Sequence, residues 1–331
     1  MVNIAILGAG NIAVKMAHTI NGMVAAGNHS LTPYAVAARD EARAQQFARD
    51  YGFQKAYGSY EEMLADPDVN LVYVATPHSH HYEHMRLCLA HGKNVLCEKA
   101  FTVNASQAEA ITTMAREKGL YVAEAIWTRY LPSRKIIDEL IASGAIGTPR
   151  VLTANLAYPL EQVERMLKPE LAGGALLDLG VYALNFASMV FGDDIAEMHS
   201  VSQKFETGVD AQDSITLTYR DGKMAILCAA FTCTGDRRGV VYGTTGTLTV
   251  DNINNPMEIV VTQHNKPDAV RTYTVPPQIT GFEYEAQAAV DAIERGQTEC
   301  EAMPHAETVR IMRQMDALRA QWGLVYPNEG L

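Results

Sequence analysis

The sequence is short of the features that mark several large protein classes. Its five cysteines (Cys88, Cys97, Cys228, Cys233, Cys300) are odd in number and include no Cys-x-x-Cys pair. That suits reduced thiols in the cytoplasm better than a disulfide framework. No window holds 18 uninterrupted apolar residues, so no segment is expected to span a membrane. The start, Met1-Val-Asn-Ile-Ala-Ile-Leu-Gly8, runs straight into an apolar strand, without the basic leader or small-residue cleavage site of a signal peptide. A basic run is missing too: 27 Lys and Arg against 38 Asp and Glu leave a net charge of −11. Such a balance repels phosphate backbones and anionic membranes, so neither nucleic acid nor a bilayer is an expected partner. What remains is a globular composition. The 331 residues are 48% hydrophobic and 20% charged, enough apolar surface to exclude disorder and enough length for two domains of roughly 150 residues each.

Strand and helix signals alternate over the first 120 or so residues. Apolar runs at Asn3–Leu7, Tyr34–Ala38, Val69–Ala75, Asn94–Leu96 and Tyr121–Ala123 read as strands. Between them, Asn11–Ala26 has helical spacing, Asp40 caps a polar helix to Tyr51, Ser59 with Glu62 forms a capping box, and Asn104 with Gln107 caps a helix to Lys118. The pattern predicts an α/β domain over 1–124, a doubly wound parallel sheet of the Rossmann type covered by helices on both faces. Beyond Ala125 a helix near Ser133–Ser143 ends at Gly144 and period-two segments then take over, with Asp221-Gly222 as a hairpin turn and the later helices confined to Leu176–Phe191, Gly281–Arg295 and Pro304–Trp322. Residues 125–331 therefore read as an α+β domain built on an open-faced, mostly antiparallel sheet for substrate binding and oligomerisation, its last helix able to pack back on the first domain.

Gly8-Ala-Gly10-Asn11-Ile12-Ala13 lies between the first strand and the first helix. Its glycines permit a tight turn and close backbone approach, and the helix N-terminus then faces a pyrophosphate. At the end of the second strand, where an acidic residue would bind a free ribose 2′-hydroxyl, the sequence reads Ala38-Arg39-Asp40. A guanidinium there suits a 2′-phosphate, so NADP is expected over NAD; the other reading makes Arg39 a solvated residue and Asp40 only a helix cap. Thr76-Pro77 leads into four histidines within seven residues, His78, His80, His81 and His84. His80 and His84 are a helical turn apart, but no cysteine nearby completes a metal set, and no metal is expected. Glu98-Lys99 ends a buried strand, where doubly wound sheets keep their ligands. Asp178 and Tyr182 are four apart on a largely apolar helix after Gly173-Gly174, and Glu124, Trp127 and Arg129 make a polar and aromatic cluster at the domain junction.

Taken together these residues resemble the glucose–fructose oxidoreductase/inositol dehydrogenase family over nearly the whole chain. Gly8–Ala13 resembles its dinucleotide turn, Thr76-Pro77 through His81 its Thr-Pro-x-x-x-His segment, Glu98-Lys99 its Glu-Lys-Pro motif, and Asp178-x-Gly180 with Tyr182 its second catalytic segment. The stretch Glu124–Pro132, with Gly173–Tyr182, is similar to the branch of trans-dihydrodiol and NADP-dependent xylose dehydrogenases. One departure is Ala100, which stands where the family has proline and leaves the Lys99 turn less restrained.

The resemblance implies hydride transfer between a nicotinamide and the carbinol or carbonyl carbon of a sugar, polyol or cyclic trans-diol. It implies Tyr182 as general acid/base, Lys99 as the cation that lowers the tyrosine pKa and holds the substrate oxygen, and Asp178 as the group that orients substrate or tyrosine. Gly8, Gly10, Asn11, Ile12, Arg39, Thr76, Pro77, His81, Glu98 and Lys99 would hold the cofactor, and Trp127, Arg129 and Tyr158 would wall the substrate. A homodimer through the open sheet face is implied as well. A catalytically silent NADP- and sugar-binding regulator is the alternative; it would be favoured by loss of the lysine or the tyrosine, and both are present.

Overall fold

The structure, a computed structural model, describes residues 1–327 and 329. Its first sheet is formed by β1 (Val2–Leu7), β2 (Leu31–Ala37), β3 (Lys55–Tyr57), β4 (Leu71–Val74), β5 (Asn94–Glu98) and β6 (Val122–Ala125), in the order β3-β2-β1-β4-β5-β6. Every neighbouring pair is parallel. β4 and β6 are buried at all positions, which explains their continuous apolar runs: a parallel sheet is covered on both faces. The crossovers are α1 (Asn11–Ala25), α2 (Glu41–Tyr51), α3 (Tyr60–Ala65), α4 (His78–Ala90) and α5 (Ala105–Lys118).

The expected caps are in place. Asp40 accepts from the Ala42 amide at 3.0 Å, Ser59 from Glu62 at 3.1 Å and Asn104 from Gln107 at 2.9 Å. Gly52 and Gly119 end α2 and α5 in the left-handed region, φ 73° and 65°, where a side chain is disfavoured. Two elements were not anticipated: β3, a three-residue edge strand too short to show a period, and α4, whose histidine-rich start hides its helical spacing.

The remaining elements are α6 (Pro132–Ala142), β7 (Pro149–Ala157), α7 (Glu164–Leu167), a π-helical turn at Leu176–Gly180 running into α8 (Val181–Phe191), β8 (Ile195–Lys204), β9 (Asp210–Tyr219), β10 (Met224–Ala230), β11 (Gly239–Gly243), β12 (Gly246–Val250), β13 (Glu258–Gln263), β14 (Lys266–Thr274), α9 (Glu283–Glu294) and α10 (His305–Trp322). The eight strands run β14-β13-β12-β11-β7-β10-β9-β8, antiparallel throughout except for β7 beside β10. Alternation of buried and exposed positions along β9 and β10 marks a sheet with one covered face. Pro169–Phe191 is long and apolar enough for a bilayer, but 89% of that window is buried inside the protein, so here it is a core segment.

Compactness divides the chain into one unit of residues 1–130 with 278–312, and a second of 131–277 with 313–331. A single cut after residue 124 does not reproduce this division. The chain returns to the first unit after β14: the Val122 amide donates to the Thr298 carbonyl at 3.0 Å, and the Thr19 and Thr280 hydroxyls meet at 2.6 Å.

Candidate active site

In the first unit, β1 lies between β2 and β4, and the crossovers leave in opposite directions at its C-terminal end. That topological switch opens the crevice in which doubly wound sheets hold nucleotides. Gly8 stands there at φ 104°, and a Cβ would press on the Ala75 carbonyl oxygen at 3.1 Å. Gly10 caps α1 with no side-chain bond, no acid occupies the first turn, and no described residue lies within 4 Å of where its Cβ would be. Asn11 and Ile12 open the helix. This is a cradle with room for a pyrophosphate and amides aimed at it, so the residues fit a dinucleotide.

Arg39 is exposed just beyond β2, at the place a ribose 2′-substituent would reach. Asp40 is occupied as the α2 cap. Sequence reasoning missed Arg43, one turn later, whose Nε and Nη2 donate to the Ala9 carbonyl at 3.0 and 2.6 Å and brace the glycine turn. The Arg-x-x-x-Arg spacing on a helix start was the available signal.

His81 is fully buried, its Nδ1 2.8 Å from the Ala100 carbonyl and its Nε2 2.7 Å from the Thr76 carbonyl. Burial pushes its pKa down to about 4, although both carbonyls favour the protonated ring. It clasps the loop after β4 to the loop after β5. His84 is held by Thr76 at 2.9 Å, with Tyr60 edge-on at 4.9 Å, and burial lowers it to about 4. Among the described residues no group of three or more metal-ligating side chains converges.

Glu98 is buried at the end of β5 and accepts from the Tyr73 hydroxyl and from the Lys99 amide, the latter at 3.2 Å. The Lys99–Ala100 peptide is cis. Glu124 takes the Phe101 amide at 3.0 Å, and burial lifts its pKa to about 7. Glu285 of α9, fully buried, feels the Glu98 charge and is raised well above the carboxylate range, burial being the main cause.

The residues expected to wall the substrate have protein partners. Trp127 stacks on Phe282, centroids 4.6 Å apart and planes within 6°. Arg129 makes an ion pair with Glu307, which also binds Arg310. In the second unit Tyr158 lies under the Arg237 guanidinium, 5.3 Å from the ring centroid.

Asp178 and Tyr182 lie in the second unit, on the π turn and the start of α8, and both are buried. Both Asp178 oxygens are gripped by Arg165, Nη1 to Oδ1 and Nη2 to Oδ2 at 3.2 Å. Nothing in the sequence linked Arg165, in α7, to this carboxylate.

Comparison with known proteins agrees with this architecture. Residues 2–125 match the Gfo/Idh/MocA oxidoreductase family with its NAD-binding Rossmann fold, and residues 135–249 match the Gfo/Idh/MocA C-terminal domain. The chain is 37% identical over 306 residues to rabbit (Oryctolagus cuniculus) trans-1,2-dihydrobenzene-1,2-diol dehydrogenase, covering 89% of this chain and 92% of that protein. It is 35% identical over 305 residues to the human protein of the same name, covering 89% and 90%. A 3-ketoreductase from Actinomadura kijaniata, solved with NADP and TDP-benzene, superimposes with a TM-score of 0.87 at 25% identity, over 96% of this chain and 97% of that one. An aldose-aldose oxidoreductase from Caulobacter crescentus shares the fold, with a TM-score of 0.85 at 20% identity over 98% and 99% of the two chains.

Proposed function

The chain belongs to the Gfo/Idh/MocA family of NAD(P)-dependent oxidoreductases acting on CH–OH groups, and within it we propose that it uses NADP on a sugar, polyol or cyclic trans-diol. The observation that carries the cofactor choice is Arg39. It is an exposed guanidinium at the end of β2, and the acid beside it, Asp40, caps α2 through Oδ1. The Actinomadura neighbour was solved with NADP, which supports the same reading. Gly8, Gly10 and the amides of Asn11 and Ile12 would hold the pyrophosphate, with Thr76 and Pro77 beside it.

When bound, the nicotinamide supplies or accepts the hydride. In this reading Tyr182 is the group that exchanges the substrate proton, and Lys99 is the cation of the reaction. Asp178, its plane fixed by Arg165, is the acceptor for a neighbouring substrate hydroxyl. Glu98 fixes the backbone from which Lys99 projects. The curated relatives are named for a cyclic trans-diol and the Actinomadura neighbour is a 3-ketoreductase; both names imply redox chemistry at a carbon bearing oxygen, which supports the substrate class proposed. We assign the protein to the cytoplasm, in keeping with its five free thiols.

Met224, Val151 and Tyr242 lie in one row across β10, β7 and β11, with Ile226, Thr153 and Val240 in a parallel row. Met224, Ile226 and Tyr242 are 37%, 43% and 41% exposed. An apolar stripe on the open face of the sheet suits a second copy of the chain, and light scattering of the purified protein should return the mass of a dimer.

A panel of pentoses, hexoses and cyclic trans-diols with NADP⁺, read as NADPH absorbance, tests the substrate class. Turnover of at least one member by the wild type, lost in Tyr182→Phe, is the expected result. Absence of turnover across the panel would move the substrate to another class.

A further inference from the structure

The segment that carries Asp178 and Tyr182 begins without a capping side chain of its own. Gly173 and Gly174 precede it, and its first turn makes no side-chain cap. The first amides of a helix have no acceptor within the helix, and here they are buried, with Ala175 and Leu176 both 0% exposed. The acceptor comes from another element. Asp210, at the start of β9 and itself 0% exposed, takes the Leu176 amide on Oδ2 at 2.5 Å. Gly174 makes that approach possible: it lies at φ 115°, and a Cβ there would run into the Asp210 carboxylate.

Asp210 is then only half satisfied. Among the described residues no donor meets its Oδ1, and Asp213, on the same strand and 2% exposed, has the Ser202 hydroxyl beside it but no donor in full hydrogen-bond geometry. Asp210 faces Lys204 and Asp213 faces Ser202 on either side of a register shift, both are buried, and the two carboxyl groups interact. Two buried carboxylates so placed cannot both stay ionised, and one proton between them supplies the missing donor. Burial first, then the Asp210 charge, pushes Asp213 well above the usual carboxylate range, against the pull of the Ser202 hydroxyl. Asp210, raised by burial but favoured as carboxylate by the Leu176 and Ala175 amides, is raised less. Around the pair stand Ser202, which faces Asp213 across the β8–β9 register, Cys228 of β10, and Tyr326, whose ring carries the Arg319 guanidinium at 4.8 Å.

We propose that Asp213 donates a carboxyl proton to Asp210, and that Asp210, locked by it, is a positioning residue for the segment bearing Asp178 and Tyr182. The lock orients the start of the segment from outside it, which a glycine pair could not do. Its catalytic meaning rests on the reading of Tyr182 given above; the lock itself does not.

Amide hydrogen exchange of the full-length protein tests it without any turnover. Protection of residues 175–182, corrected for intrinsic exchange, should fall at least about tenfold in the wild type between about pD 7 and about pD 10, while α5 keeps its protection. Asp213→Asn, whose amide can donate to Asp210 at any pH, should hold the segment across that range. Asp213→Ala should already have lost it at neutral pD. Protection of the segment that ignores pD in the wild type, or Asp213→Asn exchanging as fast as Asp213→Ala, would overturn the proposal and leave Asp213 a packing residue. Should Asp213→Ala not fold, the wild type against Asp213→Asn decides alone. Full turnover by Tyr182→Phe would sink the catalytic reading and leave the exchange result standing, so the two failures are told apart.

Discussion

Arg165 closes on Asp178 as a two-pronged fork, with both contacts at 3.2 Å. The guanidinium side chain is 42% exposed and the carboxylate is buried, so a buried charge is neutralised from the solvent side and its plane is fixed. Lysine would keep the charge and lose the fork. Arg165→Lys is therefore expected to lower kcat/KM by about tenfold, with NADPH affinity unchanged. Wild-type kinetics in that variant would remove the fork from the mechanism.

Arg39 and Arg43 leave the same stretch of chain for different tasks, and cofactor titrations should separate them. Arg39→Ala is expected to weaken NADPH by about tenfold or more and to spare NADH, since only the former has a 2′-phosphate. Arg43→Ala loses the brace on the Ala9 carbonyl and should weaken both cofactors alike, by roughly fivefold after allowance for its exposure. Equal loss of both cofactors in Arg39→Ala would end the 2′-phosphate assignment.

Lys99→Met should keep NADPH affinity and lose turnover by about 10²-fold or more, the usual scale for a group acting on a transferred proton. Stopped-flow binding beside steady-state rates measures both. Full activity in Lys99→Met would mean that the lysine is not part of the chemistry.

Asp66 predicts an acid-side dependence of stability. Burial alone would raise its pKa, but Lys55, Tyr57, the Asp68 amide and Tyr34 all donate to it and hold it well below the usual carboxylate range. A depressed carboxyl contributes stability that is complete above its unfolded pKa, about 4, and is lost as pH falls through the lower folded value. Urea midpoints of the wild type should drop below about pH 4 more steeply than those of Asp66→Asn. Parallel curves for the two proteins would show that the network has no such role.

Gly174→Ala places a side chain at φ 115° against Asp210. The backbone conformation alone costs about 1–3 kcal/mol in a non-glycine residue, and the Asp210 contact adds to it. Urea denaturation should show the loss, and an unchanged midpoint would mean that the turn relaxes freely.

The sequence made the local grammar legible. Helix caps at Asp40, Ser59 and Asn104, the glycine turn at Gly8–Gly10 and the apolar strands all rest on interactions within a few residues, which composition and spacing report directly. The edge strand β3 was too short to announce itself. What escaped were side chains reaching across the fold: Arg43 to Ala9, Arg165 to Asp178, and Asp210 to Leu176, pairs separated by 34, 13 and 34 residues. No periodicity encodes such pairings, because strand order and loop path decide them. Of the return of residues 278–312 to the first unit, the sequence suggests only the part in the last helix; the part in Gln278–Glu294 is hidden for the same reason. The types of Trp127 and Arg129 suit a substrate wall, and the structure gives them Phe282 and Glu307 as partners.

A fluorescence titration of the purified wild-type protein with NADPH, and separately with NADH, tests the central claim most directly. The account predicts saturable binding of both, with NADPH held at least about tenfold more tightly. Equal affinities would contradict the NADP assignment, and failure to bind either cofactor would contradict the nucleotide cradle at Gly8–Gly10 and the enzyme built on it.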